Sequence, residues 1–311
     1  MLWLPSHASK KIANQGKNHH ISPTINYRIR NKINMASEKK IIFITGANSG
    51  LGYEVVKALY ATDVSYELIV GTRTLSKGDD AIATLKTEVA SSSSTLSTLQ
   101  VDLASDASLE AAVKTIADKH GRLDVLINNA GASFDGHLRD GQMSIREAFN
   151  ASWDTNVSGT QVLTTLAVPL LLKSSDPRLM FVTSGTSSMA ETQPENWGDL
   201  KHMLGRINGS PEKGWPKAKE LNPITSYRST KTGLNMLMRE WTRILKEDGV
   251  KVWAISPGFL ATGLGGVGKE QLLKMGALDP SVGGQFVRDV VQGKRDQDTG
   301  KVIRSNMIQT W

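Results

Sequence analysis

The chain has 311 residues and 39% hydrophobic content, enough to bury a core as one large α/β domain or two small ones without metal or disulfide staples. It contains no cysteine, which excludes disulfides, thiolate metal sites and cysteine nucleophiles and is compatible with any compartment. Six of the 37 Lys and Arg residues, and none of the 30 Asp and Glu, fall in residues 1–37, so the net charge of +7 is concentrated there and the remainder is near neutral. A nucleic-acid partner thereby loses its electrostatic support.

Residues 1–37 are polar and rich in Asn, Ser and His, with Lys10, Lys11, Lys17, Arg28, Arg30 and Lys32 as their charges. They read as a basic, disordered N-terminal extension ahead of a domain spanning 38–311. A cytoplasmic location is the expectation, with mitochondrial targeting by residues 1–34 as the alternative. Met35 is a further candidate start of translation. No run approaches the roughly 20 apolar residues of a membrane span.

From Lys40 short apolar runs alternate with longer amphipathic ones. Residues 41–44, 68–70, 99–101, 125–127, 179–182 and 250–255 read as strands, nearly continuous in apolar character, as in a parallel sheet covered on both faces. Helices are predicted over 50–60, 77–90, 106–119, 144–173, 226–247 and 281–292, and Ser91 to Ser94 as a surface loop. This alternation implies right-handed crossovers and a doubly wound sheet. Residues 185–224 carry too many Gly and Pro for a regular element. Trp197, Met203, Leu204 and Trp215 give that segment apolar surface with which to pack, as a substrate lid or a structural flap.

The first strand runs into Gly46, Asn48, Ser49, Gly50, Leu51 and Gly52, spaced Gly-x-x-x-Gly-x-Gly. Such a turn either brings backbone amides and a helix N-terminus to a pyrophosphate or is an ordinary glycine turn. The second predicted strand ends at Gly71-Thr72-Arg73. No acid stands there to bind the ribose hydroxyls of NAD; Arg73 offers a planar fork for a 2′-phosphate, favouring NADP(H), unless it is a solvated surface residue. Asp102 and the Leu103 backbone follow the third strand, as candidates for the adenine amino group. Asn129, Ala130 and Gly131 end the fourth, small enough to pass under a cofactor. Ligands bind at these strand ends in open α/β sheets.

Tyr227 and Lys231 share one helical face. A nearby cation favours the ionised phenol, so Tyr227 is a candidate proton donor to an alkoxide, or acceptor from an alcohol. Ser184 closes the fifth strand and either holds a substrate oxygen or caps local backbone. Asn156 is a poor helix former inside a long helical stretch; it either positions a water relaying protons to Lys231 or packs. After the sixth strand Pro257, Gly258, Leu260 and Thr262 form a rigid turn able to fix a nicotinamide carboxamide. Gly263, Gly265, Gly266 and Gly268 give the following loop the freedom of a closing lid.

In order along residues 40–311, Thr-Gly-x-x-x-Gly-x-Gly, Asn-Asn-Ala-Gly, Asn156, Ser184, Tyr227, Lys231 and the Pro-Gly turn resemble the short-chain dehydrogenase/reductases. The resemblance implies a single Rossmann domain of the α/β class with a mostly parallel seven-stranded sheet and Asn156, Ser184, Tyr227 and Lys231 as the catalytic tetrad. Ser184 and Tyr227 are 43 residues apart, against about a dozen in many members. The inserted segment is similar to that of the carbonyl-reductase subgroup, which implies a monomer or homodimer in place of a tetramer. The expected function is NADPH-dependent reduction of a ketone, aldehyde or quinone of a small molecule. The alternatives are an NAD(P)-dependent alcohol dehydrogenase and a catalytically silent NADP-binding sensor or scaffold.

Overall fold

The computed structural model describes residues 39–217 and 224–311, so the expectations for residues 1–37 lie outside the described residues. Seven strands form one sheet: β1 Lys40–Ile44, β2 Tyr66–Thr72, β3 Thr95–Gln100, β4 Val125–Asn128, β5 Arg178–Val182, β6 Lys251–Ile255 and β7 Val302–Ile303. Their order is β3-β2-β1-β4-β5-β6-β7. Every neighbouring pair is parallel, with Ile42 opposite Leu68 on one side and Val125 on the other. The strand order reverses between β1 and β4, the place where an open parallel sheet leaves a crevice at its carboxyl edge.

Alternate residues of each strand feed two cores. Ile42 and Ile44 face α1 (Gly50–Tyr60), α2 (Leu75–Glu88) and, through Phe286 and Val287, α10 (Pro280–Val291). Ile41 and Phe43 face α3 (Asp106–His120), α6 (Gly159–Leu171) and α8 (Thr225–Ile244). Burial on both faces explains why these strands read as unbroken apolar runs. The exception is β3, which begins at Thr95, four residues before the predicted strand. It is an edge strand whose residues are all partly or fully exposed, and its sequence, TLSTLQ, is mostly polar.

The predicted helix over 144–173 is interrupted. α5 (Ile145–Trp153) starts with a capping box between Ser144 and Glu147, and α6 follows only after a π-helical turn over Asp154–Ser158. Such turns insert a residue and concentrate at functional sites. Two shorter helices are α4 (Asp135–Arg139), ahead of α5, and α9 (Lys269–Lys274), after β6.

The segment after β5 departs from its predicted irregularity: beyond a series of short 3₁₀ turns it forms α7 (Lys201–Asn208). Leu204 is buried and Trp197 half-buried, its indole donating to the Glu191 carbonyl at 2.9 Å. Trp215, expected to pack, is 87% exposed. No helix among the described residues is long and apolar enough to cross a membrane.

Candidate active site

The loops leaving the carboxyl ends of β1, β2, β4, β5 and β6 bring most of the predicted site residues to one edge of the sheet. Gly46 and Gly50 sit at φ +63° and +57°, conformations that L side chains rarely adopt. A methyl group on Gly52 would lie 2.5 Å from the Gly46 carbonyl oxygen, so only glycine lets α1 approach the turn. Ser49 precedes α1 in extended conformation, without a side-chain cap bond and with no acid in the first turn. The helix therefore presents its first N–H groups and the positive end of its dipole, a donor set that fits a pyrophosphate.

This turn is fastened to the end of β4. The Thr45 hydroxyl accepts the N–H groups of Asn129 and Ala130 at 3.1 and 3.0 Å, and Asn129 Nδ2 donates to the Thr45 carbonyl at 2.8 Å. Across the crevice Thr262 lies beside Gly50, where an added methyl would touch it at 3.5 Å. Pro257 and Gly258 lead to Leu260, whose side chain packs with Leu51 against Gly283 of α10. Arg73 is exposed and forms no ion pair among the described residues, while its carbonyl accepts Gln100 Nε2 at 3.1 Å. Asp102 is half-buried and its Oδ1 accepts the Ala104 N–H at 3.1 Å; the carbonyl of Leu103 abuts Gly159 of α6, where any side chain would collide with it.

Three of the tetrad residues meet beside this crevice. Tyr227 lies in the first turn of α8 beside Ser184, whose Oγ accepts the Thr186 N–H at 3.1 Å and lies 2.9 Å from Thr186 Oγ1. Lys231, one turn on, is 3% exposed, donates to the Val182 carbonyl at 2.8 Å and places Nζ 5.5 Å from the Tyr227 ring centre. Asn156, in the π turn, clamps Ala132: Oδ1 accepts its N–H and Nδ2 donates to its carbonyl, both at 2.8 Å. Its second amide proton goes to Thr230 Oγ1 at 3.0 Å. Gly131 joins Asn156 to Lys231, since a methyl there would lie 3.0 Å from Asn156 Oδ1 and 3.3 Å from Lys231 Nζ.

The electrostatics differ from the expectation that Lys231 lowers the phenol. Burial pushes Tyr227 up to about 12, against which the neighbouring Ser184 hydroxyl acts, and burial pulls Lys231 down to about 8. Desolvation is the largest influence on both groups. Tyr227 is thus protonated throughout the neutral range.

Sequence reasoning missed Asp135. Its buried carboxylate accepts the N–H of Ser226 at 2.9 Å and of Tyr227 at 3.0 Å, one per oxygen. It also missed Thr230, fully buried, which links Asn156 to the Tyr227 carbonyl at 2.7 Å. Neither carries a local signal, because each acts on backbone or amide groups brought together by the fold.

Residues 40–198 match the family model described as short chain dehydrogenase. A short-chain dehydrogenase/reductase of Phoma sp, eupG, is 42% identical over 288 residues, 90% of this chain and all of that protein. The pig (Sus scrofa) protein named carbonyl reductase [NADPH] 1 is 26% identical over 259 residues, covering 79% of this chain and 87% of its own length. Among solved structures, the NADPH-bound carbonyl reductase from chicken fatty liver superposes with a TM-score of 0.68 at 19% identity, over 88% of this chain and all of that one. The chain belongs to the short-chain dehydrogenase/reductase family. It is an oxidoreductase of a family that uses NAD(P).

Proposed function

We propose that this protein is an NADPH-dependent carbonyl reductase acting on a ketone, aldehyde or quinone of a small molecule. The observation that carries the reading is Tyr227 standing beside Ser184 with its ring centre 5.5 Å from Nζ of buried Lys231, next to a glycine turn whose helix N-terminus carries no side-chain cap. Hydride is the contribution of NADPH when bound. Ser184 Oγ and Tyr227 Oη hold the substrate oxygen between them, and Tyr227 gives its proton to that oxygen as negative charge develops.

Lys231 has one proton on the Val182 carbonyl and two others for a ribose hydroxyl and a water. Asn156 Oδ1 keeps a second lone pair beyond the Ala132 bond, and Gly131 keeps the space between that oxygen and Lys231 Nζ free of a side chain. This supports Asn156 as the far end of a proton relay to Tyr227 through Lys231. Exposed Arg73, unpaired among the described residues and with no acid at the end of β2, supports a 2′-phosphate. The irregular segment from 185, with α7, covers the Ser184 side as a substrate lid.

The test is NADPH consumption with a panel of aldehydes, ketones and quinones, run for wild type and Tyr227→Phe. Turnover of at least one carbonyl is expected, with loss of about 10²–10⁴-fold in the variant and retained NADPH binding. Near-normal turnover by Tyr227→Phe would sink the mechanism; NADPH binding without turnover of any panel member would favour the silent sensor.

A further inference from the structure

Beyond β7 the chain turns back on itself: Arg304 N–H donates to the Met307 carbonyl at 2.8 Å, Ile303 bridges Ile308, and Gln309 N–H donates to the Val302 carbonyl at 2.9 Å. The turn delivers the Gln309 side chain, 1% exposed, beneath the Ser184 loop. Arg304 Nε donates to Gln309 Oε1 at 3.1 Å. Because a guanidinium only donates, this bond fixes which end of the amide carries its protons. Those protons face the carbonyl oxygen of Ser184 at 3.2 Å and the hydroxyl of Ser187 at 3.1 Å.

Ser187 completes the lock. Its hydroxyl donates to the Ser184 carbonyl at 2.6 Å and accepts from Asn235 Nδ2 at 2.9 Å as well as from Gln309. Its single proton and both lone pairs are thus used. Asn235 lies on α8, one turn beyond Lys231, and its Oδ1 accepts the Thr183 hydroxyl at 2.7 Å. One buried network therefore ties the helix of Tyr227 and Lys231 to the turn of Ser184, and Gln309 joins it from the tail. Arg304 extends the tie to the root of the following segment, donating to buried Glu191 at 2.6 Å and to the Gly185 carbonyl at 3.4 Å.

We propose that Gln309 is a positioning residue for the reaction: by donating to the Ser184 carbonyl and the Ser187 hydroxyl it fixes the Ser184 turn beside Tyr227. The proposal rests on the reading that Ser184 holds the substrate oxygen. Loss of the amide leaves the Ser184 carbonyl with donors from Ser187 alone, and the turn gains freedom along the direction the substrate oxygen must occupy.

The experiment compares Gln309→Met, of similar volume, and Gln309→Glu, which still accepts from Arg304 but has no protons for Ser184 and Ser187. Ser184→Ala and the double variant Ser184→Ala/Gln309→Met complete a cycle on the carbonyl that wild type turns over best. Each Gln309 variant is expected to lose about tenfold or more in kcat with NADPH affinity within about twofold of wild type. Amide exchange in the 183–190 segment, measured without cofactor, rises by about tenfold or more. Adding Gln309→Met to Ser184→Ala costs no further activity, which a merely structural residue would not reproduce. Wild-type kcat, unchanged exchange, or additive losses would each overturn the proposal. Full turnover by Ser184→Ala would instead remove the reading on which it rests, and the exchange arm still decides whether Gln309 holds the turn.

Discussion

Both oxygens of the Asp135 carboxylate grip the helix that carries Tyr227, one on the Ser226 N–H at 2.9 Å and the other on the Tyr227 N–H at 3.0 Å. A helix start leaves N–H groups without intrahelical partners, and here the cap comes from 91 residues upstream, directly after the Asn-Asn-Ala-Gly loop. The carboxylate thus sets the angle at which the phenol enters the site from the loop that faces it.

Asp135→Ala removes both acceptors, and the expected cost is about 1–2 kcal/mol of stability. A drop in kcat of about tenfold should accompany it while NADPH affinity stays near wild type. Asp135→Asn, which keeps one acceptor oxygen, should fall between. Urea titration and steady-state kinetics on the three proteins check this; a wild-type kcat in Asp135→Ala would reduce Asp135 to a stabilising cap.

Arg73→Ala tests the cofactor preference. A guanidinium that pairs with a 2′-phosphate makes charge-assisted bonds that the NAD ribose cannot offer. The variant should raise the KM for NADPH by about 10- to 100-fold and leave that for NADH nearly unchanged. An unaltered ratio of the two KM values would assign Arg73 to the solvent.

The amino edge of the sheet governs behaviour in acid. Arg178, nearly buried, pairs with Asp176 at 3.0 Å and Asp296 at 2.6 Å, and Lys251 reaches both carboxylates. Burial raises both carboxylates, but hydrogen bonds and charge from Lys40, Lys251 and Arg178 outweigh it and hold Asp176 far below, and Asp296 below, its usual value of 3.8. A depressed folded pKa means that the stabilisation is present above the unfolded value and is lost as pH falls through the folded one. Stability should decline below about pH 4. Asp176→Asn should cost about 1–3 kcal/mol at pH 7, discounted for partial exposure, and flatten that decline. Chemical denaturation at pH 3, 5 and 7 is the check, and an equally steep decline in the variant would remove Asp176 from the network's acid response.

The sheet was legible, as was the grouping of the candidate residues Tyr227, Lys231 and Ser184, because their signals are local. Strands buried on both faces read as apolar runs, and Tyr227, Lys231, Ser184 and the glycine turn announce themselves by residue type at fixed positions. β3 escaped in part because an exposed edge strand can be mostly polar, as TLSTLQ is. The break between α5 and α6 escaped because a π turn disturbs the backbone without interrupting the hydrophobic pattern, although Asn156, an unfavourable helix residue, marked the spot. Asp135 and Gln309 were illegible for a different reason. Each acts by hydrogen bonds to backbone groups 91 and 125 residues away, and no periodicity encodes such a meeting. Trp215 shows the converse, a large apolar residue whose exposure follows from the fold around it and not from its own chemistry.

Lys231 places function against stability. Its ammonium is buried, and burial lowers its pKa from 10.5 to about 8. Between those values the unfolded chain binds more protons than the folded one, so stability rises with pH across the window, and the full cost of the buried charge is present below pH 8. Lys231→Met removes the charge but keeps an apolar stem of similar length. The variant should be inactive yet more stable than wild type at pH 7 by roughly 1–3 kcal/mol, the hydrogen bond to Val182 being lost in exchange. That advantage should narrow as pH approaches 10, because wild type then folds with a neutral amine. Urea titrations at pH 7, 8.5 and 10 measure it, and a constant difference across the three would show that the ammonium is solvated in the folded protein.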